Sequence, residues 1–141
     1  MTDRAIQLTG GCLCGHIRYR LDGRLIDAGL CHCRICQRSS GAPVVGWLTM
    51  SNDSLCYTRG DIATYASSHK YQREFCPYCG TQIAFRAQVN PAMVDVTLSS
   101  LDDAEAIRPE YHIWCQSQLS WLHLDDGLPR FDDAGPDEEP V

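Results

Sequence analysis

Cys31-His32-Cys33-Arg34-Ile35-Cys36 packs three thiols into six residues, and Cys12-Leu13-Cys14 and Cys76-Pro77-Tyr78-Cys79 supply four more. These seven account for most of the nine cysteines in the chain. Zinc takes thiolates in a tetrahedron, so two fully enclosed ions need about eight ligands. Seven points to one closed four-thiolate site and one three-thiolate site with a vacant position. A closed site builds a fold, and an open one does chemistry.

Cys31, Cys33 and Cys36 are close enough in sequence to converge on one ion unaided. Cys12/Cys14 and Cys76/Cys79 each supply half a site. Pairing them closes a tetrahedron and staples the start of the chain to its middle. A Cys-x-Cys on a strand puts both side chains on one face, and Gly10, Gly11 and Gly15 around the first pair allow tight wrapping. Gly80 does the same after Cys79. The competing reading of Cys76-Pro77-Tyr78-Cys79 is a thioredoxin-type redox pair, but no βαβ pattern surrounds it. Three thiolates on Zn²⁺ leave a net charge of −1, which suits an exchangeable fourth thiolate, and a zinc-bound thiol ionises near neutral pH. Spacing alone leaves open whether His32, Cys56, Cys115 or another histidine closes that site instead.

The 141 residues suit one domain, and 44% hydrophobic content makes it globular. No apolar stretch approaches the roughly 20 residues of a membrane span. The opening Met1-Thr-Asp-Arg-Ala-Ile6 lacks the basic and apolar regions of a signal peptide. A cytoplasmic location is therefore expected, where clustered cysteines read as metal ligands rather than disulfides. Net charge is −6, Lys70 is the only lysine, and the arginines are scattered. That excludes a general nucleic-acid backbone binder, whose affinity needs clustered cations.

The body reads as strands. Period-two alternation marks His16–Leu21, Tyr71–Phe75 and Val94–Leu98, and Pro43–Met50 reads as a more buried strand. Leu55–Arg59, Thr64–Ala66, Gln82–Arg86 and Tyr111–Cys115 are further candidates. Turns are expected at Asp22-Gly23, Asn52-Asp53, Arg59-Gly60-Asp61 and Asn90-Pro91. One short helix is expected over Leu101–Ile107, capped by Ser100 and stopped by Pro109. This pattern predicts an all-β sandwich or partly open barrel over residues 1–124. Residues 125–141, rich in Asp, Glu and Pro, read as an acidic tail, poorly ordered at least beyond Phe131.

Four motifs in order resemble one family. They are Gly11-Cys-Leu-Cys-Gly15 with Arg18-Tyr19, Cys31-His-Cys-Arg-Ile-Cys36 with Ser39–Pro43, Phe75-Cys-Pro-Tyr-Cys-Gly-Thr81, and Pro109-Glu-Tyr-His-Ile-Trp114. Together, from about Gly10 to Trp121, they are similar to the glutathione-dependent formaldehyde-activating enzymes, also called the centromere-protein-V-like family. The resemblance implies a zinc-stapled, Mss4-like β fold. It implies a structural zinc on Cys12, Cys14, Cys76 and Cys79 and a catalytic zinc on Cys31, Cys33 and Cys36. The implied partners are glutathione, or a similar small thiol, and formaldehyde or another small electrophile. The implied reaction is that of a carbon–sulfur lyase giving S-hydroxymethylglutathione.

The resemblance transfers no glutathione contacts. Arg34, Arg38 and the Ser39-Ser40-Gly41 turn are candidates on proximity to the three cysteines, against the plainer reading of solvated side chains. Cys56 reads as a buried strand cysteine. Cys115 reads as a packing residue or, more remotely, as the reactive cysteine of a methionine sulfoxide reductase, which would need exposure and a depressed pKa. His112 and His123 read as core or surface fillers with a possible supporting role near the metal. Trp47, Trp114 and Trp121 read as core or pocket walls. A non-catalytic zinc scaffold that binds a protein partner is the alternative to an enzyme.

Overall fold

The computed structural model describes residues 4–136. Its strands are β1 (Arg4–Gly11), β2 (Arg18–Cys31), β3 (Val45–Ser51), β4 (Leu55–Arg59), β5 (Ala63–Ala66), β6 (Tyr71–Phe75), β7 (Gln82–Ala87), β8 (Met93–Thr97) and β9 (His112–Ile113). They form one mostly antiparallel sheet in the order β1-β2-β3-β8-β7-β6-β5, with β4 and β9 also on β2. The fold is thus mostly β, with a single α-helix, α1 (Arg34–Ser40), among the described residues.

The 14-residue β2 organises the molecule. Its first half pairs with β1 on one edge and β4 on the other, and its second half with β3 and, in parallel, β9. A register shift between Leu25 and Asp27 separates the halves, and such bulges bend a strand and strengthen its twist. The turn expected at Asp22-Gly23 is therefore absent, and both residues pair with β1 inside the strand. Gly23 serves a close approach instead. A Cβ there would lie 2.5 Å from Ser54 Oγ, in the 3₁₀ turn Asn52–Ser54 that leads into β4.

The main core lies behind the cleft-bearing face. Ile17, Leu21, Leu25, Leu48, Met50, Ile83, Val94 and Val96 are all buried to within 1% of their surface. A second cluster unites Cys31, Cys33, Cys36, Val45, Trp47, Phe85, Tyr111 and Ile113. The cysteines of the short motif are thus built into an apolar wall rather than a surface loop.

The helical segment sits elsewhere than expected. Leu101–Ile107 is not a helix: only Leu98–Ser100 makes a 3₁₀ turn, just before it. Ser100 is drawn to Tyr19 and Thr97 (2.7 and 2.8 Å), so it does not cap. Leu101 bridges Gly10, the Asp102 amide donates to the Thr9 carbonyl, and its carboxylate accepts from Arg18 and Thr9. Tertiary partners outcompete the local helical preference. The composition-based tail also makes contacts from Asp126 onward. The Phe131 amide donates to the His112 carbonyl, the His112 amide to the Pro129 carbonyl, and the Trp114 amide to the Asp133 carbonyl. The part of that tail after Pro136 lies outside the described residues.

Candidate metal centres and the adjoining cleft

The loop between β1 and β2 and the loop between β6 and β7 meet at four cysteines. The sulfurs of Cys12, Cys14, Cys76 and Cys79 lie within 4.8 Å of one another. Cys14 Sγ is 3.7 Å from both Cys12 Sγ and Cys76 Sγ. A tetrahedron with 2.3 Å bonds requires sulfur separations of roughly 3.8 Å, so this donor set fits zinc. The loops are shaped for anionic sulfur: the Ile17 amide donates to Cys12 Sγ at 3.2 Å, and the Tyr78 and Cys79 amides to Cys76 Sγ at 3.4 Å. The Thr81 hydroxyl beside Cys79 Sγ is the leading influence holding that thiol down to about 5. Gly80, at φ 80°, makes the turn with its amide on the Cys76 carbonyl, a left-handed geometry that favours glycine.

The second group forms where β2 runs into α1. Cys31 ends the strand, Cys33 is the helix N-cap, and Cys36 lies in the first turn. Their sulfurs also lie within 4.8 Å of one another, and all are buried. Cys33 Sγ accepts from the Cys36 amide at 3.3 Å, so one thiol both caps the helix and joins the group. Cys31 and Cys36 bear on Cys33 as hydrogen-bond donors and hold it down to about 3, while Cys31 is driven up by Cys33, by Cys36 and by burial. Negative charge within the trio therefore settles first on Cys33.

None of the possible fourth ligands joins the trio. His32 is fully buried, but its Nε2 meets His112 Nδ1 at 2.9 Å, and His112 Nε2 meets Asp126 Oδ2 at 2.8 Å. With the carboxylate accepting from His112, Nδ1 of His112 is left to accept from His32. Burial, then the neighbouring His112, pushes His32 down to about 4, which keeps it neutral. Cys56 is exposed on β4, not buried: Leu55 and Tyr57 take the inward positions of that strand, so alternation turns Cys56 out. Cys115 is half-buried in a 3₁₀ turn, and burial pushes its thiol up, the reverse of what a reductase needs.

Cys31 and Cys36 open onto a small, partly open cleft. Its floor is a row of side chains in register across the sheet. Thr49 pairs with Asp95, Asp95 with Phe85, and Phe85 with Arg73. Trp47 and Tyr111 complete the walls. Gly29 makes the cleft possible, because a Cβ there would lie 2.3 Å from the Tyr111 ring. Arg73 is 3% exposed, and its Nη1 and Nη2 reach Cys36 Sγ at 3.9 and 3.8 Å.

Of the contacts proposed from sequence, only Ser39 meets this machinery, accepting from Arg73 Nη1 at 3.2 Å. Arg34 is occupied by Gln37, and neither Arg34 nor Arg38 lines the cleft. Trp47 is a cleft wall and Trp114 packs beside it. Trp121, however, is 66% exposed. Sequence reasoning missed Arg73, Asp95, Thr49 and Phe85. The alternation of Tyr71–Phe75 was visible, and a charged residue at an inward position of that strand was the available signal.

The sequence pattern of the glutathione-dependent formaldehyde-activating enzymes matches residues 7–117, which span both cysteine groups and every strand from β2 to β9. The chain belongs to this family. A Rhodobacter sphaeroides protein of known crystal structure, a structural-genomics target, is also similar. The likeness covers 88% of this chain and 99% of that one at a TM-score of 0.56 and 22% identity, which is a likeness of fold. Family membership and the sulfur geometry agree that the two cysteine groups are compatible with zinc.

Proposed function

We propose that the protein joins a small thiol, glutathione or a close analogue, to formaldehyde or another small electrophile. In this reading it is a carbon–sulfur lyase working in the synthetic direction. Cys12, Cys14, Cys76 and Cys79 hold a structural zinc, and Cys31, Cys33 and Cys36 hold a catalytic one. The observation that carries the reading is the difference between the two groups. The four-sulfur group has a complete donor set between two loops, whereas the three-sulfur group, among the described residues, is one donor short and faces a cleft.

Zinc bound to the trio would supply the positive charge that keeps a substrate thiol ionised at neutral pH. The chain supplies the rest. Trp47, Phe85 and Tyr111 exclude water from around the reacting atoms, and Thr49 and Asp95 offer hydrogen-bonding groups on the floor. The thiolate sulfur attacks the carbonyl carbon, the C–S bond forms, and the π pair passes to oxygen, which takes a proton from water. Thiolate supply and positioning account for the gain. The clustered thiols suit the reducing cytoplasm.

The test is exchange spectroscopy on glutathione and formaldehyde with the zinc-loaded protein. Hemithioacetal exchange should be faster than in buffer and return to the buffer rate in Cys33→Ala. Exchange at the buffer rate, or insensitive to that substitution, rejects this substrate pair.

A further inference from the structure

Two arginines, Arg73 buried and Arg86 half-buried, lie on neighbouring strands but on opposite faces of the sheet. Arg86 pairs across β6–β7 with Gln72, and its guanidinium is met by the Glu74 carboxylate through Nε and Nη2. Arg73 pairs with Phe85 on the cleft face, and among the described residues no carboxylate hydrogen-bonds it. Its Nη1 donates to Gln82 Oε1 at 2.9 Å and to Ser39 Oγ at 3.2 Å, both neutral. Its Nε has no hydrogen-bond partner. Its guanidinium carbon lies 4.9 Å from the Phe85 ring centroid and 5.9 Å from that of Trp47. The remaining contact, shared by both terminal nitrogens, is Cys36 Sγ.

A buried guanidinium does not shed its proton, and a buried charge without a counter-charge is strongly disfavoured. Ring faces and neutral acceptors soften that cost without removing it. The only anionic group that these contacts bring to Arg73 is the sulfur trio. We propose that Arg73 is the counter-ion of the three-cysteine site, holding its net charge near zero so that the site accepts an anionic fourth ligand, the substrate thiolate. Three thiolates and Zn²⁺ sum to −1, and Arg73 brings the assembly to zero. An arriving thiolate then takes it to −1 rather than −2. This rests on the reading of the trio as a thiol-binding centre, and it makes Arg73 a positioning residue that acts through Cys36.

Cobalt-loaded protein tests it without turnover, since cysteine-to-cobalt and thiol-to-cobalt charge-transfer bands are read directly. The probe is 2-mercaptoethanol, which carries no carboxylate, with glutathione in parallel. Arg73→Met should weaken 2-mercaptoethanol binding tenfold or more at neutral pH. It should also raise the pH midpoint of the new band by about one unit, the equivalent of that tenfold change. Arg73→Lys, which keeps the charge, should recover most of the loss. Arg73→Gln, a donor without charge, should behave like the methionine variant and replaces it if that variant folds poorly. Binding within twofold of the wild type in Arg73→Met overturns the proposal. So does a loss confined to glutathione, which would make Arg73 a carboxylate receptor, or equal losses in the lysine and methionine variants. A wild-type cobalt spectrum that answers to no thiol would instead overturn the thiol-binding reading. In that event the resting band still decides on Arg73: it should shift in Arg73→Met, and an unshifted band overturns the counter-ion role.

Discussion

Cys33 does two jobs with one sulfur: it caps α1 and completes the trio. Serine separates them, because a hydroxyl is a good N-cap but a poor zinc ligand. Cys33→Ser should therefore keep the thermal stability of the apo protein within about 1 kcal/mol. The same variant should lose one equivalent of metal and more than about 100-fold of activity. Metal analysis beside thermal melts of metal-free protein reads both, and a serine variant that binds two equivalents would remove Cys33 from the ligand set. Glu74 is the matching residue on the opposite face. Burial raises its pKa, but hydrogen bonds from Arg86, Tyr57 and Gln72 more than offset this and leave it below the ordinary 4.5. Because the folded value is depressed, Glu74 contributes its full stability above about pH 4.5 and loses it as pH falls through the folded value. Glu74→Gln should cost about 3 kcal/mol or more near pH 7, since it strands Arg86. The deficit should shrink in acid, and urea midpoints at the two pH values would show it. A deficit independent of pH would deny the ion pair its role.

At the scale of elements, α1 is held by its ends. Gly41 closes it in the left-handed region, at φ 71°, with its amide on the Gln37 carbonyl. A Cβ at that position meets nothing within 4 Å, so Gly41→Ala isolates backbone strain. It should destabilise by about 1–2 kcal/mol in chemical denaturation, with zinc stoichiometry unchanged. A neutral result would mean that the turn relaxes freely. The sequence failed to show this helix for physical reasons. Seven residues carry too little periodicity, only Cys36 and Gln37 are buried, and a thiol cap is not a usual start signal. The expected helix at Leu101–Ile107 failed in the opposite way. Its capping serine and first-turn acid were real, but Tyr19, Thr97, Thr9 and Arg18 claimed them. The strands β4 and β6 were legible to the residue, since period-two patterning is local. β1 was overlooked although Ile6 and Leu8 alternate with polar neighbours, and the long run of β2 was cut short by an Asp-Gly pair that here lies within the strand.

At the scale of the molecule, the four-sulfur group ties loops 62 residues apart at Cys14 and Cys76. Removing metal from it should release the β1–β2 loop from the β6–β7 loop and lower the melting temperature on the order of 10 °C, or several kcal/mol. Cys76→Ala should reproduce most of that loss and Cys33→Ser little of it. Calorimetry of the chelated protein and of both variants makes the comparison. Equal losses would show that the two groups do not divide into a structural and a reactive site.

By itself the sequence determined the cysteine grouping and the mostly β character, because close thiols, turn residues and alternating side chains are properties of neighbouring positions. The cleft was decided only in three dimensions. Thr49, Asp95, Phe85 and Arg73 come from four strands, and the pairing register alone brings them into one row. The same register puts a buried cation beside Cys36, where among the described residues no carboxylate hydrogen-bonds it. A charge's partner across a sheet is set by long-range pairing, which no local pattern encodes.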